Sequence, residues 1–380
     1  MLKTFIYSIL GLISFSQLSD AQNREFIYVG TFSGDSNQGL FVYEFNRAQG
    51  TLRQVQVLGG MTSPTFIEIH PNGKYLYSLS RNSVNREESW GSVSSYAIDQ
   101  ASGNLTHIND QTSGGNAPVH MTIDSQGRML FMANYGSGSI AAYPILADGS
   151  LSPASSFHQH TGSSISGERQ QGPHAHCAVI SPDDQYLYAA DLGIDKIKTY
   201  RVDYATNELV PIPASDGVIE PGSGPRHIAI STNMKFAYLL EEMGWHITVL
   251  AINKKTGGLN QIQRISTLPE GFNGTNFCAD IHIDPTGEFL YASNRGHNSL
   301  AIFKIDKKSG KLSLIEIFKV PGDWPRNFLI DLRGNYLFVA NQNSSNLVIL
   351  KRDPETGKLT DTGTEVRLPQ PTCIKMLEVR

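Results

Sequence analysis

The chain has 380 residues, a formal charge of −4, 17% charged residues and 40% hydrophobic ones, which excludes a disordered polyelectrolyte. No polybasic stretch is present to neutralise a phosphate backbone, so nucleic acid is excluded as the main partner. The 35 glycines and 18 prolines call for many tight turns.

Lys3, the apolar run from Phe5 to Phe15, and the small residues Ser19 and Ala21 on either side of Asp20 have the form of a cleaved secretory signal over 1–21. The apolar run, about eleven residues long, is too short to cross a bilayer, and no membrane span is expected elsewhere. The remainder, 22–380, is read as a single domain exported to a periplasm or the cell exterior; without cleavage it would be cytoplasmic. Cys177, Cys278 and Cys373 are an odd, sparse set inside apolar runs, expected as small buried hydrophobes rather than a disulfide framework.

From about residue 64 a pattern repeats: a short apolar strand, a Pro/Asp/Gly turn, a Tyr-rich strand, then two more strands. Its copies include SPTFIEIHPNGKYLYSLSRN, GPHAHCAVISPDDQYLYAADLG and NFCADIHIDPTGEFLYASNRG. Aligning Pro64, Pro118, Ala175, Pro225, Cys278, Pro325 and Pro371 gives intervals of 54, 57, 50, 53, 47 and 46 residues. Four short strands per period predict an all-β, seven-bladed β-propeller with few helices. Residues 371–379 read as a first strand with nothing after it, and 26–57 as the three strands it lacks. Pairing the two ends closes the ring and covers both exposed edges.

The turns place the second residue of each innermost strand in a ring at one channel mouth: Thr65, Val119, His176, Arg226, Ala279, Arg326 and Thr372. Opposite them the pattern sets Thr31, Ser80, Asn134, Asp191, Glu241, Asn294 and Asn341, with His176 facing Asp191 and Arg226 facing Glu241 or Glu242. A histidine, an arginine and carboxylates converging on neighbouring blades are a usual layout for acid–base chemistry. His120, His227 and His297 are read as structural. The polar segment 158–172 is read as a mobile rim loop beside His176. His174 and His176, with Asp191 near, invite a metal reading, but no third His or Cys stands at ligand spacing, and no metal is expected.

GPHAHCAVISPDDQYLYAADLGIDKI, GPRHIAI followed by YLLEE, and ADIHIDPTGEFLYASNRGHNSLAIF resemble the lactonase family of seven-bladed propellers over about 26–379. That family includes propeller-type 6-phosphogluconolactonases and a carboxy-muconate lactonizing enzyme. The resemblance implies a sugar-lactone hydrolase acting in carbohydrate metabolism without a cofactor, with His176, Arg226 and Glu242 as its catalytic residues. His174, Asp191, Glu241, Arg326, Asn134 and Asn294 are the expected substrate contacts. His176 suits a general base and Arg226 a donor to the developing oxyanion, while Glu242 would orient Arg226 or share its proton transfers. The partner expected is a small sugar lactone and the default state a monomer. The competing readings are an exported propeller serving as a binding or scaffold module, and a lactonizing isomerase.

Overall fold

The computed structural model describes residues 24–33, 38–61, 63–81 and 90–379, so the anticipated signal over 1–21 lies outside the described residues. Seven sheets are present, each of four consecutive antiparallel strands except for the ring closure and one added two-residue strand, Gly217–Val218. In the first blade Pro371–Val379 is the innermost strand and pairs with Arg24–Thr31, followed outward by Leu40–Asn46 and Thr51–Leu58. The innermost strands of blades 2 to 7 are Ile67–Ile69, Pro118–Ile123, Ala175–Ile180, Pro225–Ile230, Phe277–Ile283 and Pro325–Ile330. As expected, helices are scarce: among the described residues one three-residue 3-10 turn, Pro213–Ser215, is present.

Strand composition follows radial position. The second strands are covered by neighbouring blades on both faces, so Met129–Asn134 and Tyr186–Asp191 are buried at every position. Outer strands such as Leu359–Arg367 are largely exposed. The tight turn between first and second strands is held by the last residue before it. Asp124, Asp284 and Asp331 each accept two backbone N–H bonds through Oδ1 at 2.6–2.8 Å. Ser181 and Ser231 do the same work with a hydroxyl.

The recurring Tyr of the second strand staples one blade to the next. Tyr28, Tyr77, Tyr188, Tyr238 and Tyr291 donate their hydroxyls to the carbonyls of Gly103, Gly149, Gly257, Gly310 and Gly357 at 2.6–3.1 Å. Two constraints select glycine there: φ lies between 72° and 81°, and an added Cβ would fall within 2.2–2.6 Å of an aromatic ring of the preceding blade. At the other two blade junctions the equivalent residues are Phe131 and Phe338, which lack the hydroxyl. Tyr188→Phe is therefore expected to lower unfolding free energy by about 1 kcal/mol by leaving the Gly257 carbonyl unpaired. Gly257→Ala should cost more, because it meets both constraints; urea titration of the purified variants measures each loss.

Candidate active site at one mouth of the channel

A β-bulge decides which side chains enter the channel. Ala175 pairs with Asp191 and Cys177 with Ala190, so His176 is an extra residue without a partner. The same slip occurs at Val119, Arg226 and Arg326, and over Ala279 and Asp280 in blade 6. An unpaired residue is released from the pleat and its side chain re-aimed. This corrects the expected facing of His176 with Asp191 and of Arg226 with Glu241, since the pairing sum changes by one at each bulge.

The second strands need a matching correction. Asn134, Asp191, Glu241 and Asn294 are wholly buried, and their hydrogen bonds stay within their own blades or the adjoining loops. Asn134 donates to the Ser113 carbonyl at 3.0 Å, and Asn294 to the Thr267 carbonyl at 3.0 Å. Asp191 accepts from His160 and the His174 amide at 2.6 and 2.7 Å. Glu241 is held by Arg264 and Thr248 at 2.7 and 2.6 Å. The mouth is instead lined by the next residue along the chain, because strand side chains alternate: Tyr135, Glu242, Arg295 and Gln342 lie in contact with the ring.

Glu242 is the hub. Its Oε2 accepts from Arg226 Nε at 3.0 Å and Arg295 Nη2 at 2.8 Å, and its Oε1 from Arg169 Nη2 at 2.7 Å. Burial pushes its carboxyl up, but Arg295, Arg226 and Arg169 more than reverse that and hold it at about 2. Glu242 is thus an ionised anchor rather than a proton carrier near neutral pH. Arg226 also donates through Nη1 to the Ala279 carbonyl and, at 3.2 Å, to His227. Its Nη2 amino group has no hydrogen-bond partner among the described residues. Burial and Arg295 lower its pKa to about 10, so it keeps its charge at neutral pH.

His176 is buried, with its ring centroid 5.4 Å from that of His227 and 5.3 Å from that of Tyr135. Its Nδ1 is sealed from solvent and unpaired, and Nε2 makes no hydrogen bond among the described residues. Burial, then Arg226, His227 and Arg326, carry its pKa well below the ordinary imidazole value, so it is neutral at pH 7. His174 stacks on Tyr135 with ring centroids 4.6 Å apart and bonds the Tyr135 carbonyl at 2.9 Å, which places it behind the Tyr135–His176 contact. Arg326 donates to Gln342 at 3.3 Å, and its pKa is lowered first by desolvation and then by Arg295 and Arg226.

Sequence reasoning missed Arg295 and Arg169. Arg295 follows Asn294 as Glu242 follows Glu241, so the off-by-one correction alone would have found it. Arg169 comes from the segment read as a mobile rim loop, which is tied down: buried Gln170 donates to the Leu192 carbonyl and to Asp195, both at 2.8 Å. Below the arginine layer, Thr65, Val119, Arg226, Arg326 and Thr372 border a void of only about 10 Å³. A separate cavity of about 560 Å³ opens at the far end, lined by His282, Asp280, Phe236 and Lys375, and touches none of His176, Arg226 or Glu242.

An unpaired imidazole and a free guanidinium edge inside a narrow mouth define this ring as a propeller equipped for chemistry on a small molecule. The chain belongs to the family described as lactonase, 7-bladed beta-propeller, whose model matches residues 26–376. It is 35% identical to a 6-phosphogluconolactonase of Bacillus subtilis over 350 residues, 92% of this chain and 97% of that protein. A 6-phosphogluconolactonase of Formosa agariphila is 34% identical over 80% of this chain and 86% of its own. Among solved structures, a periplasmic gluconolactonase of Pseudomonas aeruginosa superposes with a TM-score of 0.86 at 34% identity, covering 94% of this chain and all of the other.

Glu242→Gln should remove the one charge that balances three arginines and lower stability at pH 7 by about 3–5 kcal/mol. Because the folded pKa is depressed, the contribution of this carboxylate is complete above its ordinary value of 4.5 and fades as pH falls toward about 2. Denaturant titrations from pH 7 to pH 2.5 should show the gap between parent and variant narrowing only in that acid window.

Proposed function

We propose that this chain hydrolyses a sugar lactone to the aldonic acid, with His176 and Arg226 at the reacting centre. The observation that carries the reading is the pairing of an unpartnered, buried imidazole with the free Nη2 edge of Arg226. His176 Nδ1 is sealed from solvent without a hydrogen-bond partner, at a cost of about 1–3 kcal/mol, and Arg226 uses Nε and Nη1 but donates no Nη2 bond to a described residue. In this reading Arg226 Nη2 donates to the lactone carbonyl oxygen as it gains charge, while neutral His176 accepts a proton from the attacking water through Nε2. Glu242, with Arg169 and Arg295, keeps the guanidinium from turning. The three named relatives support the same reaction class. Against a plain scaffold stands the stability given up to leave the buried His176 ring unpaired at Nδ1.

The substrate class follows from charge. Arg81, Arg169, Arg226, Arg295 and Arg326 stand at or beside the mouth, against Glu242 there and Asp280 beneath. A net surplus of positive charge in a desolvated site favours a lactone bearing an anionic substituent such as a phosphate.

Purified parent protein should open 6-phosphoglucono-δ-lactone with a higher kcat/KM than glucono-δ-lactone. His176→Ala and Arg226→Ala should each lose at least about 100-fold in kcat on both. Since neutral His176 is the working form and its pKa is depressed, kcat/KM should stay level from pH 8 to pH 6.5 and fall only in more acid buffer. Full activity in either alanine variant would overturn the assignment.

We further propose that the chain is exported and begins, when mature, near residue 22. The charged and apolar character of residues 1–21 and the periplasmic neighbour support this. Cell fractionation with N-terminal sequencing should find the protein outside the cytoplasm, lacking those residues; a full-length cytoplasmic product is the contrary result.

A further inference from the structure

Arg226 is braced from two sides. The Glu242 contact has been described; the other brace runs down the channel. His227 is 7% exposed and Asp280 3% exposed. His227 Nδ1 lies 2.8 Å from Asp280 Oδ1, and His227 Nε2 lies 3.2 Å from Arg226 Nη1. An ionised carboxylate only accepts and a guanidinium only donates. The imidazole between them must therefore carry its proton on Nδ1 and present a lone pair at Nε2. Burial, and then the charge of Arg226, lowers the His227 pKa to about 4, in keeping with a neutral ring.

The other oxygen of Asp280 explains why this residue is an aspartate. Oδ2 accepts from the Phe328 amide at 3.2 Å, from Asn327 Nδ2, and from His282 Nε2 at 2.9 Å. Asn327 is itself oriented, because its Oδ1 accepts from the Ile374 amide at 2.7 Å. Two of the donors on Oδ2 thus cannot reverse. Blade 7 and the ring-closing strand hold Asp280, Asp280 sets the tautomer of His227, and His227 receives one N–H of the arginine.

We propose that His227 and Asp280 are positioning residues for the reaction, holding the Arg226 guanidinium through the lone pair of His227 Nε2 so that Nη2 stays aimed at the substrate oxygen. The proposal rests on the lactone-hydrolase reading only for its kinetic consequence; the tautomer is a property of the folded chain alone. Asp280→Asn is the informative change. The two fixed donors on Oδ2, the Phe328 amide and Asn327 Nδ2, outnumber the one backbone donor on Oδ1, the Ile281 amide at 3.1 Å, so the amide oxygen stays on the Oδ2 side and the NH₂ turns toward His227 Nδ1. The imidazole must then accept at Nδ1 and carry its proton on Nε2, where it meets an N–H of Arg226 head-on.

Long-range ¹H–¹⁵N spectra of the imidazole groups in the full-length protein, assigned with a His227→Gln control, test this directly. The parent should show His227 as the neutral Nδ1–H tautomer at pH 7 and Asp280→Asn the Nε2–H tautomer; an Nε2–H ring in the parent overturns the proposal whether or not any lactone is hydrolysed. Kinetics supply the second arm. A glutamine amide reaches the position of Nε2 and offers an oxygen to Arg226, whereas an asparagine amide reaches only Nδ1. His227→Gln should remain within about fivefold of parent kcat, and His227→Asn should fall at least about 30-fold with KM changed less than threefold. Equal kcat in the two variants, with matched melting temperatures, would show that His227 does not act through Arg226.

Discussion

Every feature of this molecule depends on one pairing, the antiparallel ladder from Arg24 with Val379 to Gly30 with Cys373 that joins the two ends of the described chain. Without it the first blade has no innermost strand and the ring two open edges. With it, seven innermost strands converge on one axis, and each second strand is sandwiched between neighbours. The Tyr-to-Gly staples then fix the spacing between five pairs of blades. A closed ring cannot relax one blade independently, so the channel diameter is set globally while its chemistry is set locally. That separation lets charged side chains occupy the axis without threatening the fold.

The cost of those charges is nevertheless large. Burying an isolated carboxylate or guanidinium is unfavourable by several kcal/mol, and a buried pair recovers this only when its hydrogen bonds are complete. Glu242 meets that condition with three charged donors. Arg226 has partners for Nε and Nη1 but none for Nη2, so the deficit is concentrated on one amino group. The neutral state of His176 follows from the same field: an imidazolium among arginines would add repulsion to desolvation. A base kept neutral in this way is also a weaker base. In the proposed mechanism the balance of catalysis accordingly shifts toward stabilising the oxyanion, a task for which a fixed guanidinium edge is well suited.

The architecture was legible in the sequence because it repeats: a period near fifty residues, four strands per period and a detached last strand can mean little other than a closed propeller. The shared ring of His176, Arg226 and Arg326 was legible too, as titratable residues in otherwise apolar strands, whereas Glu242 was picked out by the family resemblance. The facing partners were not. Pairing rules count residues from a turn on the assumption of an unbroken ladder, and a bulge inserts one residue that leaves no mark in a hydrophobic pattern. Asp191, Glu241, Asn134 and Asn294 were therefore set in the mouth when their side chains are sealed within the blades. Arg169 was hidden for another reason. It lies in a polar loop whose order comes from Gln170 bonding to Leu192 and Asp195, contacts between segments more than twenty residues apart that no local pattern announces.

The bulges also explain which side chains the innermost strands present at the mouth of the proposed site. At the mouth the unpaired residues of the innermost strands include His176, Arg226 and Arg326, beside the uncharged Val119, Ala279 and Thr372. One step further in, His120, His227, Asp280 and Asn327 form a second layer, with Asp280 still inside the blade 6 bulge. There the Asp280 carboxylate accepts hydrogen bonds from neutral His227, from His282 and from Asn327. At the far opening Lys375 is paired with Glu68 at 2.6 Å. The same ring of strands thus carries a layer with unpaired polar groups above a hydrogen-bonded one. The second layer supplies what the proposed first layer requires, a floor in which Asp280 and the Ile374 amide hold His227 and Asn327 in one hydrogen-bonded arrangement.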